Sequence, residues 1–167
     1  MYKVTIKNGD TATIIHDGSL PNRSVARITG GKVSKAVNSI DSLSFLIYPN
    51  NPGYNLINGM VTTVEVTEIA SGKKIFIGRV LKPSDSMDNA GLICKTVTCE
   101  GRLGWLYDSI QPYSSITYAT NGLRSTLNAI LSQHNAIVDD SKKIKLGATT
   151  IETSDSFIFT RNWENSL

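Results

Sequence analysis

Along the first hundred residues the apolar positions alternate more than they cluster, and a period of two predicts strands. Tyr2, Val4 and Ile6 alternate with Lys3, Thr5 and Lys7, and Asn8-Gly9 then leads into Thr11 to Ile15. Asn-Gly between such segments predicts a hairpin, because both residues tolerate the positive φ of a type I′ turn. The chain reads as loop from Asp17 to Asn22, with Gly18 and Pro21, and the strand pieces between Val25 and Asn38 are interrupted by Gly30-Gly31. Ser42 to Tyr48 is a clearer strand, halted by Pro49 and followed by the dense turn Asn50-Asn51-Pro52-Gly53. Val61 to Ile69 is rich in Val and Thr, as strands are. Ser71-Gly72 turns the chain and Lys74 to Leu81 returns. A loop from Ser84 to Gly91 and a strand from Leu92 to Cys99 complete the series.

The texture then changes. Arg102 to Asp108 predicts a short helix, with Leu103, Leu106 and Tyr107 at helical spacing, and Gln111-Pro112-Tyr113 marks a boundary. Thr120 or Asn121 can cap a helix running to about Ile137, since their side-chain oxygens accept free first-turn N–H groups. On it Leu123, Leu127, Ile130, Leu131, His134 and Val138 share one face. Ile144 to Leu146 and Thr150 to Glu152 read as short strands. Many strands followed by a helix and a few more strands predict a mainly β chain, α+β overall. A small antiparallel β-barrel is expected over residues 1–112, opened by a hairpin, and the beginning of an incomplete α+β domain over residues 113–167.

The 167 residues can bury a core without staples. An apolar share of 40% with 19% charged residues argues against disorder. The net charge of +3 is spread out, and Lys142, Lys143 and Lys145 stand beside Asp139 and Asp140. No run of unopposed cations predicts a nucleic-acid site. Cys94 and Cys99 lie on one predicted strand at an odd offset, roughly 16 Å apart, beyond the reach of a disulfide. Two reduced thiols are expected, which suits assembly in a reducing cytoplasm. Met1 leads straight into a strand pattern, so no signal peptide is expected, and no apolar run is long enough to span a bilayer.

Few residues are placed for chemistry. His16 and Asp17 are adjacent on a strand and so point to opposite faces, poorly placed as base and orienting carboxylate. His134 lies on the apolar helix face, with Ile130, Leu131, Ile137 and Val138 where metal partners would stand, and reads as a core or interface histidine. Asp85 and Asp88 lack the further oxygens of a calcium loop. No serine sits in a Gly-x-Ser-x-Gly elbow and no glycine-rich phosphate loop is present. No enzymatic activity, cofactor or metal is expected. Tyr48, Tyr54 and Tyr113, on or near proline-containing loops, are candidate surface or partner contacts, and Trp105 reads as core.

The succession from Leu43 to Ser109 resembles a known family. It runs Ser44-Phe-Leu-Ile-Tyr-Pro, then Asn51-Pro-Gly-Tyr-Asn-Leu-Ile, Val61 to Val66, Lys74-Ile-Phe-Ile-Gly-Arg-Val and Val97-Thr-Cys-Glu-Gly-Arg-Leu-Gly-Trp-Leu-Tyr-Asp-Ser. This order is similar to the N-terminal region of siphophage tail hub proteins, also called prophage endopeptidase tail, tail-associated lysin or minor structural proteins. The later Leu131-Ser-Gln-His-Asn and Ile144-Lys-Leu-Gly resemble that family's second domain. The resemblance implies structural roles for Phe45, Phe76, Gly78, Arg79, Gly101, Leu103, Leu106 and His134. It implies a fold like the baseplate hub of contractile-tailed phages and of type VI secretion spikes, with three copies forming a ring that continues the tail tube. The partners implied are further copies, the distal tail protein and the tape-measure protein, and the location is the tail tip of the virion. The chain stops before the family's second barrel and before any C-terminal module, so it reads as an N-terminal fragment and the endopeptidase name is not carried over. A carbohydrate- or surface-binding β module is the alternative, and a peptidoglycan hydrolase the third reading.

Overall fold

The computed structural model describes residues 1–20, 26–87, 89–110, 114–118, 122–147 and 157–161, the strands at 114–118 and 157–161 and the start of the helix by backbone alone. Pro21, Asp88, Gln111-Pro112-Tyr113, the cap at Thr120 or Asn121 and the expected strand Thr150 to Glu152 lie outside the described residues. The chain divides into two compact units, residues 1–103 and 104–167.

The first unit is one curled antiparallel sheet of seven strands, a half-barrel. The strands are β1 (Tyr2–Asn8), β2 (Thr11–Asp17), β3 (Ile28–Ser34), β4 (Ser42–Ile47), β5 (Thr63–Glu68), β6 (Lys74–Met87) and β7 (Ile93–Gly101). Their order across the sheet is β2-β1-β5-β6-β7-β4-β3, so β2 and β3 are its two edges. Alternation sends Val4, Ile6, Phe45, Ile47, Val64, Val66, Phe76 and Val80 into one buried core. Register shifts at Val4/Thr5, Thr29/Lys32, Val66/Thr67 and Val80/Lys82 put extra residues on β2, on β3 and twice on β6, which bends these strands and lets the sheet curl around that core.

Several local expectations are corrected. Pairing of Asn8 with Thr11 puts Gly9-Asp10, not Asn8-Gly9, in the first turn, and only Gly9 takes a positive φ (58°), the pattern of a type II′ turn. The expected loop from Ser84 is the continuation of β6, which pairs with β7 as far as Met87–Ile93. Pro83, Ser84, Asp85 and Ser86 are turn-prone singly, and a complete ladder with β7 overrides them. Cys94 and Cys99 are both buried and free, but only Cys99 joins the core; burial pushes its thiol up to about 12.

No ladder joins β2 to β3. The seam is held by Asn51, which is buried, and its Nδ2 donates to the carbonyls of Ile15 and Arg27, each at 2.8 Å. Its Oδ1 accepts the Gly53 N–H at 3.0 Å. The loop carrying Asn51 packs under β1 and β2, where a Cβ on Gly53 would strike Ile15 and Ile6. A 3₁₀ turn, Tyr54–Leu56, follows, and Asn8 Nδ2 donates to the Leu56 carbonyl at 2.7 Å. The Asn8 end of the half-barrel is thereby plugged.

The residues 102–108 form a 3₁₀ segment, not an α-helix, and the tighter repeat buries Gly104, Trp105 and Leu106. Leu103 and Tyr107 are exposed, contrary to the helical spacing read from them. In the second unit β8 (Ser114–Tyr118) pairs antiparallel with β9 (Phe157–Arg161), and α1 (Gly122–Ile137) lies between them in sequence. Ile144 to Leu146 is not a strand, because Asn135 supplies what a strand partner would. Its Nδ2 donates to the Ile144 carbonyl at 2.8 Å and its Oδ1 accepts the Ile144 N–H at 2.9 Å.

Two substitutions test this account by denaturant unfolding. Asn51→Ala is expected to cost about 2–4 kcal/mol, since it orphans a buried carbonyl, a half-buried one and an N–H, and Asn51→Asp should fare no better because a carboxylate donates nothing. Gly78→Ala is expected to cost more than about 3 kcal/mol, because its Cβ would fall on the Glu100 carbonyl oxygen beside the Phe76 ring.

Candidate functional site

The end of the half-barrel opposite the plug is open. There the first residues of β1, the last of β2 and β5 and the first of β6 meet β3 and β4 around a cleft of ≈ 380 Å³. Val4, Leu43 and Val66 are buried and form its floor; Tyr2, His16, Ile28, Val33 and Ile75 form the rim, and Gly31 leaves one wall low. No Lys, Arg, Asp or Glu lines it. The surface is suited to receiving apolar groups, and its titratable members are His16 and the Tyr2 phenol.

His16 belongs to the seam as well as the cleft. Its Nδ1 accepts the Ile28 N–H at 3.4 Å, which leaves Nε2 as the donor of the neutral ring. Burial, then the Arg27 guanidinium, hold its pKa below 6.5, with Asp17 opposing them. Asp17 does not orient the imidazole. Its Oδ1 accepts the Ser19 hydroxyl (2.6 Å) and N–H (2.9 Å), and these bonds hold its carboxyl below the usual range.

Of the tyrosines singled out above, Tyr54 is half-buried against the arm made by β6 and β7. Its hydroxyl donates to Asp85 at 3.3 Å, Lys95 Nζ stands 4.3 Å from the ring centre, and the same Nζ donates to the Tyr54 carbonyl at 2.9 Å. Burial and then Asp85 raise its pKa. Tyr48 is half-buried just past β4, where its carbonyl accepts the Asn51 N–H at 2.9 Å. Tyr113 lies outside the described residues.

The residues that carry the resemblance stand in the framework. Phe45 and Phe76 are in the core, and Gly78 faces Gly101 across β6 and β7. Beside them Arg79 Nε and Nη2 both reach Glu100 Oε1 at 2.6 Å. Leu106 is buried and Leu103 exposed.

His134 has a partner that its helix face did not suggest. Its Nδ1 lies 2.9 Å from Ser109 Oγ and its Nε2 3.2 Å from the Lys142 carbonyl. A carbonyl only accepts, so Nε2 carries the proton and the serine hydroxyl donates to Nδ1. A Ser–His pair at this distance has the spacing of a nucleophile and its base. Here, however, a backbone carbonyl stands where an orienting carboxylate would, and the two residues are 1% and 0% exposed. The carboxylate next to Ser109 in sequence, Asp108, is engaged by Lys142 Nζ at 3.0 Å. The pair fastens the end of the 3₁₀ segment to α1 and to the turn Asp140–Lys142. Among the described residues no group of three or more His, Cys, Asp or Glu could hold a metal, and no helix is long and apolar enough to cross a membrane.

Fold and site together define a mainly β, α+β chain whose half-barrel has an apolar mouth and whose Ser109–His134 pair is buried and internally bonded. No protein-family model matches it, and no curated protein matches it. A solved tail protein from Neisseria meningitidis MC58 is similar over 78% of this chain and 33% of its own, with 15% identity and a TM-score of 0.48. The chain thus spans about a third of the length of that tail protein.

The seam makes stability depend on pH. Unfolded His16 takes its proton near 6.5 while the folded ring resists it to lower pH, so the unfolded state binds more protons as pH falls through 6.5. Urea unfolding at about pH 7, 6 and 5 should therefore show falling stability, and His16→Gln should flatten that segment. Asp17 and Asp140, both held low, act only in the more acid window below about pH 4.

Proposed function

We propose that this chain is a structural part of a phage tail tip, its half-barrel forming one sector of a ring that continues the tail tube. The observation that supports this most directly is where the resemblance falls. The ordered segments from Leu43 to Ser109 coincide with β4 to β7 and the 3₁₀ segment after them, and their marked residues serve the shape of the sheet. Gly78 permits the close approach of Glu100, Gly101 that of Asp41, and Phe45 and Phe76 fill the core. A pattern whose members within the sheet set strand geometry and fill the core suits a scaffold.

The closed Ser109–His134 pair supports a role without catalysis, because a nucleophile must meet its substrate. In this reading the chain works within the virion at the tail tip after assembly in the bacterial cytoplasm, beside further copies and the distal tail protein, with the tape-measure protein reaching the lumen. Antibody raised against the chain should label purified phage particles at one end of the tail by immunogold microscopy. Labelling along the whole tube, or none, would refute the assignment. Zymography on cell walls should be blank, and a cleared band lost in Ser109→Ala or His134→Ala would overturn the non-catalytic part.

A further inference from the structure

The loop that plugs the half-barrel is closed by a knot of polar bonds, and two Asn-Gly steps meet in it. Asn8-Gly9 comes from the first hairpin and Asn58-Gly59 from the loop itself; a third step, Asn121-Gly122, begins outside the described residues. Both asparagines donate to the Leu56 carbonyl, Asn8 Nδ2 at 2.7 Å and Asn58 Nδ2 at 3.4 Å. Thr62, which is fully buried, lies between them. Its Oγ1 donates to Asn8 Oδ1 at 2.7 Å and accepts the Asn58 N–H at 2.9 Å. Its own N–H donates to the Asn58 carbonyl at 3.0 Å.

An Asn-Gly step carries a latent reaction. Once the glycine amide loses its proton, its nitrogen can attack the asparagine Cγ. A C–N bond forms there, the bond from Cγ to the side-chain nitrogen breaks, and that nitrogen takes a proton from water and leaves as ammonia. Water then opens the resulting succinimide at either carbonyl. The product is aspartate or, with the main chain rerouted through Cγ, isoaspartate. Glycine favours the attack because it has no Cβ to crowd the nitrogen.

The fold holds the two steps differently. Asn8 is fixed at both ends of its amide, and its backbone pairs with Thr11 where β1 and β2 end. Its Cγ cannot swing onto the Gly9 nitrogen without breaking those bonds. Asn58 is exposed and its one side-chain bond is long. Among the described residues no hydrogen bond holds the Gly59 N–H. Packing requires a glycine at that position, since a Cβ would come 2.8 Å from the Leu81 carbonyl oxygen.

We infer that Asn58 is a site of spontaneous self-modification, converting to aspartate and isoaspartate, and that the conversion loosens the plug. The new carboxylate donates nothing and stands beside the Leu56 carbonyl that Asn58 Nδ2 had served. In isoaspartate the main chain gains a methylene between residue 58, bonded twice to Thr62, and Gly59, packed against Leu81. The site is a property of the loop and does not rest on the tail assignment.

Peptide mapping by mass spectrometry tests this on the full chain stored at about pH 7, 8 and 9, each conversion adding about 1 Da. In the folded protein Asn58 should convert on the order of tenfold faster than Asn8, because two hydrogen bonds must open before Asn8 reacts. The rate should rise with hydroxide, since the attacking nitrogen must first lose its proton. In guanidinium chloride the two steps should convert at similar rates, the bonds that distinguish them being gone. Deuterium exchange across residues 54–62 should be faster in the aged protein than in the fresh one. Asn58→Gln, whose longer side chain closes a ring far more slowly, should show neither the mass change at 58 nor the faster exchange. An Asn58 that stays intact in the folded protein while the denatured chain converts overturns the inference. So does an Asn8 that converts as fast as Asn58 in the folded state. Conversion at Asn58 without faster exchange in the loop overturns the loosening of the plug.

Discussion

One buried amide holds the half-barrel in its shape. A curled sheet whose edges do not pair must leave strand backbone exposed or satisfy it in another way, and β2 and β3 meet at Asn51. The amide's two protons go to carbonyls on opposite sides of the seam, and its oxygen goes to Gly53 in its own loop. All of its capacity except one lone pair is used, in a site closed to water. That bond set also fixes the loop that follows. Through Tyr54 and Leu56 the loop plugs one end of the core and braces the base of the arm. Plug, seam and arm therefore depend on a single side chain.

The sheet's irregularities have a common consequence. Each register shift adds local twist, and the one between Val80 and Lys82 falls where β6 leaves β5. Past that point β6 has no ladder to β5, and the sequence there is poorly suited to strand pairing. Pro83 offers no N–H, and Lys82 and Asp85 are charged.

Much of the fold could be read from the chain, and the exceptions share a cause. Alternation placed β1, β2 and β4 to β7, because one face of each is buried and a one-residue slip would expose it. The glycine pair in β3 was a fair sign of its irregularity. What local pattern could not show was polar side chains acting on distant backbone. Asn51 looked like one more turn residue, yet its partners are 36 and 24 residues away. Ser109 lies 25 residues before His134, and its place in an otherwise structural motif hid the pairing. The upper half of β6 was lost to its turn-prone composition, since the ladder that overrides it comes from β7, later in the chain. The open mouth was invisible because its walls come from six strands that only the curl brings together.

The two units solve one problem in the same way. Where a strand ladder is missing, a buried or half-buried polar side chain takes over the backbone: Asn51 at the seam, Asn135 along residue 144, His134 at the Lys142 carbonyl. These are among the residue types from which a catalytic site would be built. Each is committed to holding chain to chain, and Ser109, Asp108 and Asp17 are likewise engaged. Chemistry needs at least one such group left available to a substrate in a cleft, and the cleft that exists offers an imidazole and a phenol among aliphatic walls. These polar side chains hold the chain in shape, and the surface left open at one end of the half-barrel is an uncharged, mostly aliphatic cleft.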